Sequence, residues 1–464
     1  LKVEDSVHFT GIKGTGMSSL ALLYKRLGYR VTGGDTAQRF YTDELLEAHD
    51  IPVRSGFTPD AVPADCRLLI ASSAYMKMNN PEIEEASRRG IRVLSYPQAL
   101  SELASQSYSV AVAGTHGKTS LASMIDYLCE HSDLSSAAVY GSFLPGRRPE
   151  ARLQMPLDLF CFEACEYDRH LLVYHPDAAV LTNISYEHPD IYHDIDDIKQ
   201  LFRAFLLQIK PAGTIIYCAD DRHTAEVVRQ VLSMREDITP VAYGLKAEGP
   251  YKIIDVQTGI GETRCLTTSL EYALCLPGRH MALNMAGAIA AVEALCPSFR
   301  PDAKIIAGYP GVARRSELIG SASGIRVVDD YAHHPEEIRA TLEALQTFYQ
   351  PERIIVDFVP HTLSRTEALF NEFIEAFSDF CDTVIIHPVY RAAREQETEG
   401  AEHIELSRKL VSCIGGAVYA EDGAQSLDHA LSLLTEGDLF VTMGAGNNRS
   451  TGRKLLALLQ RGNR

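Results

Sequence analysis

Short apolar runs alternate along this chain with stretches in which apolar residues recur every three to four positions. VHFTG is followed by a helical pattern from Met17 to Leu27. YRVTGGD is followed by another from Tyr41 to His49, and LLIASSAYMKMNNPEI supplies a later strand. Such alternation predicts a parallel sheet with helices on its faces. The pattern restarts after SELASQSYS, Ser101 to Ser109, whose serines read as a linker. VAVA, DLFCFE and AAVLTN are then buried strands of a second sheet. Thr214 to Leu276 adds TIIYCAD, VAYG and LTTSLEYALCLPG, and GRHMALNMAGAIAAVEAL gives a loop followed by an alanine-rich helix. IRVVDDYAHHPEEI, ERIIVDFVPHTLSRTEALF, DTVIIHPVY, GAVYAED and DLFVTMGAGN form a third α/β unit. The expected domains are residues 1–104, 105–315 and 316–464.

The second sheet carries the most specific signal. In VAVAGTHGKTS a strand runs straight into a turn and a helix, with Gly114, Thr115, His116, Gly117, Lys118 and Thr119 in the turn. Glycines let successive N–H groups and a helix N-terminus converge on an anion. Lys118 would reach outer phosphates and the Thr119 hydroxyl would ligate Mg²⁺. Val112 stands where the longer phosphate-loop consensus has glycine, so this is a shortened variant. The Lys118 side chain is expected near solvent in the empty protein.

Ligands of open parallel sheets sit outside the carboxyl ends of the strands. FEACEYDR delivers Glu163 and Glu166 to that edge, and LTNISYEHPD delivers Glu187 and His188. Glu163 and His188 are candidate Mg²⁺ ligands beside Thr119, with Glu166 as the alternative carboxylate. His188 is equally readable as a loop histidine satisfied by backbone. Asn284 offers a donor and an acceptor to an adenine edge, or caps a helix. Arg314 and Arg315 form a phosphate clamp or a solvated turn.

At the amino end, Gly11, Gly14 and Gly16 make a G-x-x-G-x-G turn, GIKGTGM. This spacing supports a nucleotide-like ligand and not a nicotinamide cofactor, although such turns also exist merely to pack helix on strand. Asp35 ends the second strand, where an acid bonds a ribose in such folds, and Ser72 and Ser73 are polar groups at the same edge. Asp329, Asp330, His333 and His334 share one loop of the third unit. His361 and Arg365 share another, with Arg365 shaped to hold a carboxylate bidentately.

The remaining composition narrows the setting. A net charge of −17 argues against nucleic-acid and anionic-membrane surfaces, so an anionic ligand must be met by a local cluster. No segment approaches the ~20 apolar residues of a spanning helix. The acidic start, LKVEDSVHFTG, is read as neither signal peptide nor anchor. Ten scattered cysteines without paired zinc spacing are expected to be reduced thiols in a cytoplasmic protein.

GIKGTGM, GTHGKTS, FEACEYD, LTNISYEHPDIY, GRHMALN, GVARRSE, DDYAHHPEE, PHTLSRTEA and MGAGN occur in that order, and over essentially its whole length the chain resembles the Mur ligases. The resemblance implies three domains: an N-terminal Rossmann-like one, a central P-loop ATPase-like parallel sheet, and a C-terminal Rossmann-like one. It implies an ATP-dependent ligase that joins L-alanine to the lactyl carboxylate of UDP-N-acetylmuramate through an acyl phosphate. The protein would be a monomer or homodimer.

Carried over residue by residue, Gly114 to Thr119 wrap the ATP phosphates, and Thr119, Glu163 and His188 serve two Mg²⁺ ions. Asn284 reads adenine, Arg315 and His333 approach the phosphates, and Asp330 holds the ribose. Gly11, Lys13, Gly14, Thr15, Gly16, Asp35, Ser72 and Ser73 bind the UDP-sugar. His361 and Arg365 flank the amino acid, with His334 or His361 as the base.

Cys165, Ser316 and Asn447 depart from the family's Asp, Phe and Asp. Arg203 stands where several relatives carry a carbamoylated lysine, so no such modification is expected. The rival readings are a ligase attaching a recycled murein tripeptide to the same sugar and a non-catalytic nucleotide-binding regulator. Movement of the C-terminal unit about Arg314 to Ser323 is expected to bring the three substrates together.

Overall fold

The computed structural model describes residues 2–145, 152–188, 191–390, 401–444 and 446–462. Pro189 and Asp190 of LTNISYEHPDIY and Ala445 of MGAGN lie outside them.

The first sheet is built from β1 (Ser6–Thr10), β2 (Arg30–Asp35), β3 (Val53–Ser55), β4 (Cys66–Ala71) and β5 (Arg92–Ser95). Its order is β3-β2-β1-β4-β5, with every pairing parallel. The intervening helices are α1 (Thr15–Arg26), α2 (Tyr41–Ala48), α3 (Ser73–Met76), α4 (Pro81–Arg88) and α5 (Tyr96–Ala104).

The central sheet comprises β6 (Ser109–Ala113), β7 (Ser136–Val139), β8 (Leu159–Glu163), β9 (Ala178–Leu181), β10 (Thr214–Cys218) and β11 (Thr239–Tyr243). It is also wholly parallel, in the order β11-β10-β9-β6-β8-β7. Helices α6 (Lys118–Glu130), α7 (Ile195–Leu207) and α8 (Arg222–Leu232) flank it. A three-stranded sheet of β12 (Ile253–Gly259), β13 (Glu262–Thr267) and β14 (Glu271–Leu274) precedes α9 (Arg279–Leu295) and α10 (Ala303–Ala307).

The third large sheet runs β15-β16-β20-β17-β18-β19. Its strands are β15 (Glu317–Ala322), β16 (Ile325–Asp330), β17 (Ile354–Val359), β18 (Thr383–Ile386), β19 (Val418–Tyr419) and β20 (Leu439–Gly444). Only β15 is antiparallel. Its helices are α11 (Pro335–Tyr349), α12 (Leu363–Ala368), α13 (Phe370–Ser378), α14 (Glu402–Cys413), α15 (Gly423–Leu433) and α16 (Arg449–Gly462).

Two compact units result. One holds the first and central sheets, and the other holds everything from Gly311 onward with parts of the small sheet. In the first unit a single apolar cluster runs from Val7, Phe9 and Leu20 through Leu100 and Leu103 to Ala111, Phe160, Phe202 and Ile215. The position near residue 104 therefore separates two sheets and not two cores.

Three readings of the sequence change here. Ser101 to Ala104 is helix and not linker, because a capping box between Ser95 and Gln98 starts α5 and Leu100 and Leu103 are buried. The GRHMALN segment is helical from Arg279, so Asn284 lies in the second turn of α9. Of the expected hinge, Glu317 to Ala322 is strand β15 of the third sheet, which leaves 311–316 as connecting chain. All ten cysteines are free thiols, and among the described residues no helix is long and apolar enough to cross a membrane.

Candidate active site

The phosphate loop is a turn between β6 and α6 that neighbouring chain makes rigid. Gly117 is left-handed at φ 83° and Gly114 lies at φ 138°, where a Cβ would stand 2.0 Å from Thr182 Oγ1. Thr182 Oγ1 donates to His116 O at 2.6 Å, Thr115 N–H donates to Asn183 O at 2.8 Å, and His116 N–H to Asn183 Oδ1 at 3.0 Å. The Thr115 and His116 amides, expected on phosphate, thus pin the loop to the chain after β9. That leaves the first turn of α6, whose N–H groups have no partner within the helix, as the part of the loop suited to an anion.

Lys118 is not near solvent. It is only 9% exposed, and its ammonium donates to Gly114 O at 2.6 Å, Thr115 O at 2.9 Å and Glu166 Oε2 at 2.9 Å. Three acceptors saturate its three donors. The sequence reading failed because it contained no counter-ion: Glu166 comes from the loop beyond β8, and pairing makes burial of the ammonium affordable. Burial alone would depress the Lys118 pKa, but the facing Glu166, then Cys165 and Glu163, hold it above its ordinary value. Burial likewise pushes Glu166 up, and Lys118 with His188 overrides it, leaving the carboxyl at about 2. His188, itself left-handed at φ 57°, places Nε2 3.6 Å from Glu166 Oε1.

Glu163, the last residue of β8, turns the other way. Its Oε2 accepts from Thr119 Oγ1 at 2.9 Å and from Gly141 N–H at 2.8 Å. The structure therefore brings Thr119 and Glu163 together and sets His188 against Glu166. Among the described residues no group of three or more His, Cys, Asp or Glu side chains is gathered as for a metal. A hydroxyl and one carboxylate nevertheless suit Mg²⁺, which keeps water and takes substrate phosphate oxygens to complete its shell. The Asn284 amide packs over the turn, 3.1 Å from where a Cβ on Gly117 would be.

The N-terminal glycine turn is held by the chain that follows β2. Lys13 N–H donates to Asp35 Oδ2 at 2.7 Å and Thr36 N–H to Asp35 Oδ1 at 2.7 Å, so Asp35, at the end of β2, ties the turn after β1 to the loop after β2. Burial still leaves the Asp35 pKa raised. Lys13 Nζ donates to Thr36 O at 3.1 Å and Gln38 O at 2.8 Å, and lies 3.0 Å from Asp43 Oδ1. Thr15 Oγ1 accepts from Tyr41 OH at 3.1 Å. At the edge of β4, Ser72 precedes α3, and Ser73 Oγ lies 3.3 Å from His170 Nε2. Gly11, at φ 81°, sits under the Tyr75 ring, a cover that the sequence reading missed. Gly14 has an ordinary φ of −57°, and Gly16 faces Tyr96.

In the second unit, Arg365 Nη1 is 2.8 Å from His361 Nδ1, and the His361 and His333 rings meet edge to face at 5.1 Å. Arg365 lies within α12, not in a preceding loop. Asp330 accepts from Ser316 N–H at 2.6 Å and Ala332 N–H at 2.7 Å, which ties β16 to the chain after Arg315. Its pKa is raised by burial against the opposing pull of Arg315. The Arg315 guanidinium lies over the Tyr331 ring at 5.6 Å. His334 caps α11, its Nδ1 accepting from Glu336 N–H at 3.3 Å, so His361 is the imidazole beside Arg365. Asn447 is exposed and its carbonyl accepts from Ser450 N–H at 3.0 Å. A buried group of Asp357 on β17, His387 just after β18 and Ser426 on α15 had no sequence signal, since its members are far apart in the chain.

Three models of the Mur ligase family match consecutive segments: the "Mur ligase family, catalytic domain" over 6–108, the "Mur ligase middle domain" over 112–292 and the "Mur ligase, glutamate ligase domain" over 314–446. A UDP-N-acetylmuramate–L-alanine ligase of Treponema pallidum (strain Nichols) is 37% identical over 97% of this chain and 95% of its own. The chain is a Mur ligase. This Mur ligase shares its fold with a UDP-N-acetylmuramate-alanine ligase from Thermotoga maritima (TM-score 0.79, 22% identity, 98% and 99% of the two chains). It also shares it with a MurF ligase from the same organism solved in complex with ADP (TM-score 0.62, 15% identity, 94% and 96% covered).

Proposed function

We propose that this Mur ligase joins L-alanine to the lactyl carboxylate of UDP-N-acetylmuramate, with ATP cleaved to ADP and phosphate, in peptidoglycan precursor synthesis. The observation that carries the reading is an intact phosphate loop, with Lys118 and Thr119 each set against its own carboxylate, in a chain that follows curated L-alanine ligases over nearly its full length. We read residues 1–104 as the sugar-binding domain, 105–315 as the ATP-binding domain and 316–464 as the amino-acid domain.

The chemical problem is that carboxylate and amine do not condense in water unless the carboxylate gains a leaving group. The carboxylate attacks the γ-phosphorus of ATP in line, giving an acyl phosphate and ADP. Lys118 and the first-turn amides of α6 neutralise the charge that spreads over the transferring group. Mg²⁺, two ions in this reading, would be held by Thr119, Glu163 and His188 and would supply further neutralisation when bound. Arg365 would hold the carboxylate of alanine, and His361 beside it would accept the proton as the amine attacks and phosphate leaves. ATP, UDP-sugar and reduced thiols together fit a cytoplasmic enzyme.

Phosphate release from ATP with UDP-N-acetylmuramate, with and without L-alanine, tests this, with a mass spectrum of the product. Alanine-dependent release and a product heavier by one alanyl residue are expected. Release that needs a murein tripeptide would transfer the reading to the recycling ligase, and no release under any condition would leave a nucleotide-binding regulator.

A further inference from the structure

Glu166 is left over by this mechanism, and its surroundings give it a part of its own. The carboxylate is 3% exposed, it spans Lys118 and His188, and the Tyr192 hydroxyl donates to its backbone carbonyl. Lys118 has no donor to spare: two of its three protons go to loop carbonyls and the third to Glu166. A phosphate reaching the loop must therefore replace an existing acceptor. Gly114 O and Thr115 O belong to the loop that Asn183 and Thr182 hold fixed, whereas Glu166 is the only one of the three on a side chain.

We propose that Glu166 is a positioning residue that stands in for the nucleotide's phosphate in the empty site. Its carboxylate keeps the buried Lys118 ammonium compensated until a phosphate takes its place. The inference rests on the reading of Gly114–Thr119 as a nucleotide loop. It adds that the protein carries an internal anion competing with the nucleotide for one cation. A carboxylate with a purely structural part would support binding, and its loss would weaken it. A stand-in opposes binding, so its loss strengthens it. The sign of one measurement separates the two.

The test is calorimetric titration of the full chain with ADP and Mg²⁺, in wild type, Glu166→Gln and Glu166→Asp, with thermal melts of each protein. Glu166→Gln should bind ADP about tenfold more tightly, since a like charge a few ångströms from the phosphate is removed. The empty variant should melt lower than wild type, because Lys118 is buried without its counter-ion, and saturating ADP should close most of that gap. Glu166→Asp keeps the charge and should return affinity toward wild type. Unchanged or weaker ADP binding by a Glu166→Gln protein that melts cooperatively would overturn the stand-in while leaving the nucleotide loop intact. Failure of wild type to bind ADP would overturn the loop reading and the inference together.

Discussion

Two glycine turns in this protein follow the same plan, strand into turn into helix, and each buries a lysine. After β1, the Lys13 ammonium is bound by two carbonyls of the loop that follows β2 and by Asp43 on α2. After β6, the Lys118 ammonium is bound by two loop carbonyls and by a carboxylate 48 positions away. The first arrangement ties its turn to the loop after β2 and to α2, so taking it apart uncouples three pieces of chain. The second meets its long-range partner through a side chain alone. A turn built to hold neighbouring chain and a turn built to exchange partners thus differ in where the carbonyls come from, the next loop in one and the lysine's own turn in the other.

The largest test of that contrast is Lys118→Ala. Turnover measured as phosphate release should fall about 10³-fold or more, as for loss of one preorganised charge at a transferring group. The same change strands Glu166, so chemical denaturation should show a loss of about 3–5 kcal/mol. The double variant Lys118→Ala/Glu166→Gln should regain most of the stability and none of the turnover. Wild-type stability in the single variant would mean that the pair contributes nothing to the fold.

Glu163→Gln is next in size. It retains the hydrogen bonds that an amide oxygen can accept from Thr119 and Gly141, and it loses the charge. Apparent Mg²⁺ affinity in the phosphate-release assay should drop about tenfold, ~1.4 kcal/mol, and excess magnesium should restore much of the rate. An unaltered magnesium curve would remove Glu163 from the metal site.

Lys13→Met probes the other turn. Loss of a charged donor with several partners should reduce stability by about 2 kcal/mol. The KM for UDP-N-acetylmuramate should rise several-fold while that for ATP stays put. A change confined to ATP would invert the assignment of the two turns.

The smallest effect is a titration. The two turns are bonded by carboxyls displaced in opposite directions: Glu166 to about 2, where the pull of Lys118 and His188 overrides burial, and Asp35 upward by burial. Glu166 therefore adds stability that is present above its unfolded value of 4.5 and is lost as pH falls toward 2. Asp35 has the reverse sign: its contribution is fully present below 3.8 and is lost as pH rises through its raised folded value. Side-chain carboxyl shifts followed by NMR from pH 7 to 2 should show midpoints on opposite sides of the ordinary values. Midpoints on the same side would mean that the two turns share one electrostatic design.

What could be read from the chain beforehand follows from the same contrast. Strand, turn and helix at Gly114 to Thr119 were legible because periodicity and glycine act locally. The family motifs added an order, which is why the three sheets were anticipated. The partner of Lys118 was not legible, since Glu163 and Glu166 leave β8 three positions apart and no pattern says which one faces the ammonium. Nor could the burial of Asp35 be inferred, because one of its two N–H donors comes from Lys13, 22 positions earlier in the chain. Ser101 to Ala104 was misread because serine content outweighed the buried Leu100 and Leu103.

The apolar cluster that joins the first two sheets also limits how this enzyme can be cut or recombined. A fragment ending at Ala104 would expose Leu100 and Leu103, each worth about 1.5–3 kcal/mol when buried, along with the side of α1 that packs in the same cluster. Such a fragment should aggregate on expression, and a graft of a foreign sugar-binding module at that position would meet a mismatched surface. The last crossing from one compact unit to the other lies between Pro310 and Gly311, and residues 257–264 and 274–279 also belong to the second unit. On the proposed reading of the second unit as the amino-acid domain, a specificity swap between relatives should exchange the segment from Gly311 together with those two stretches.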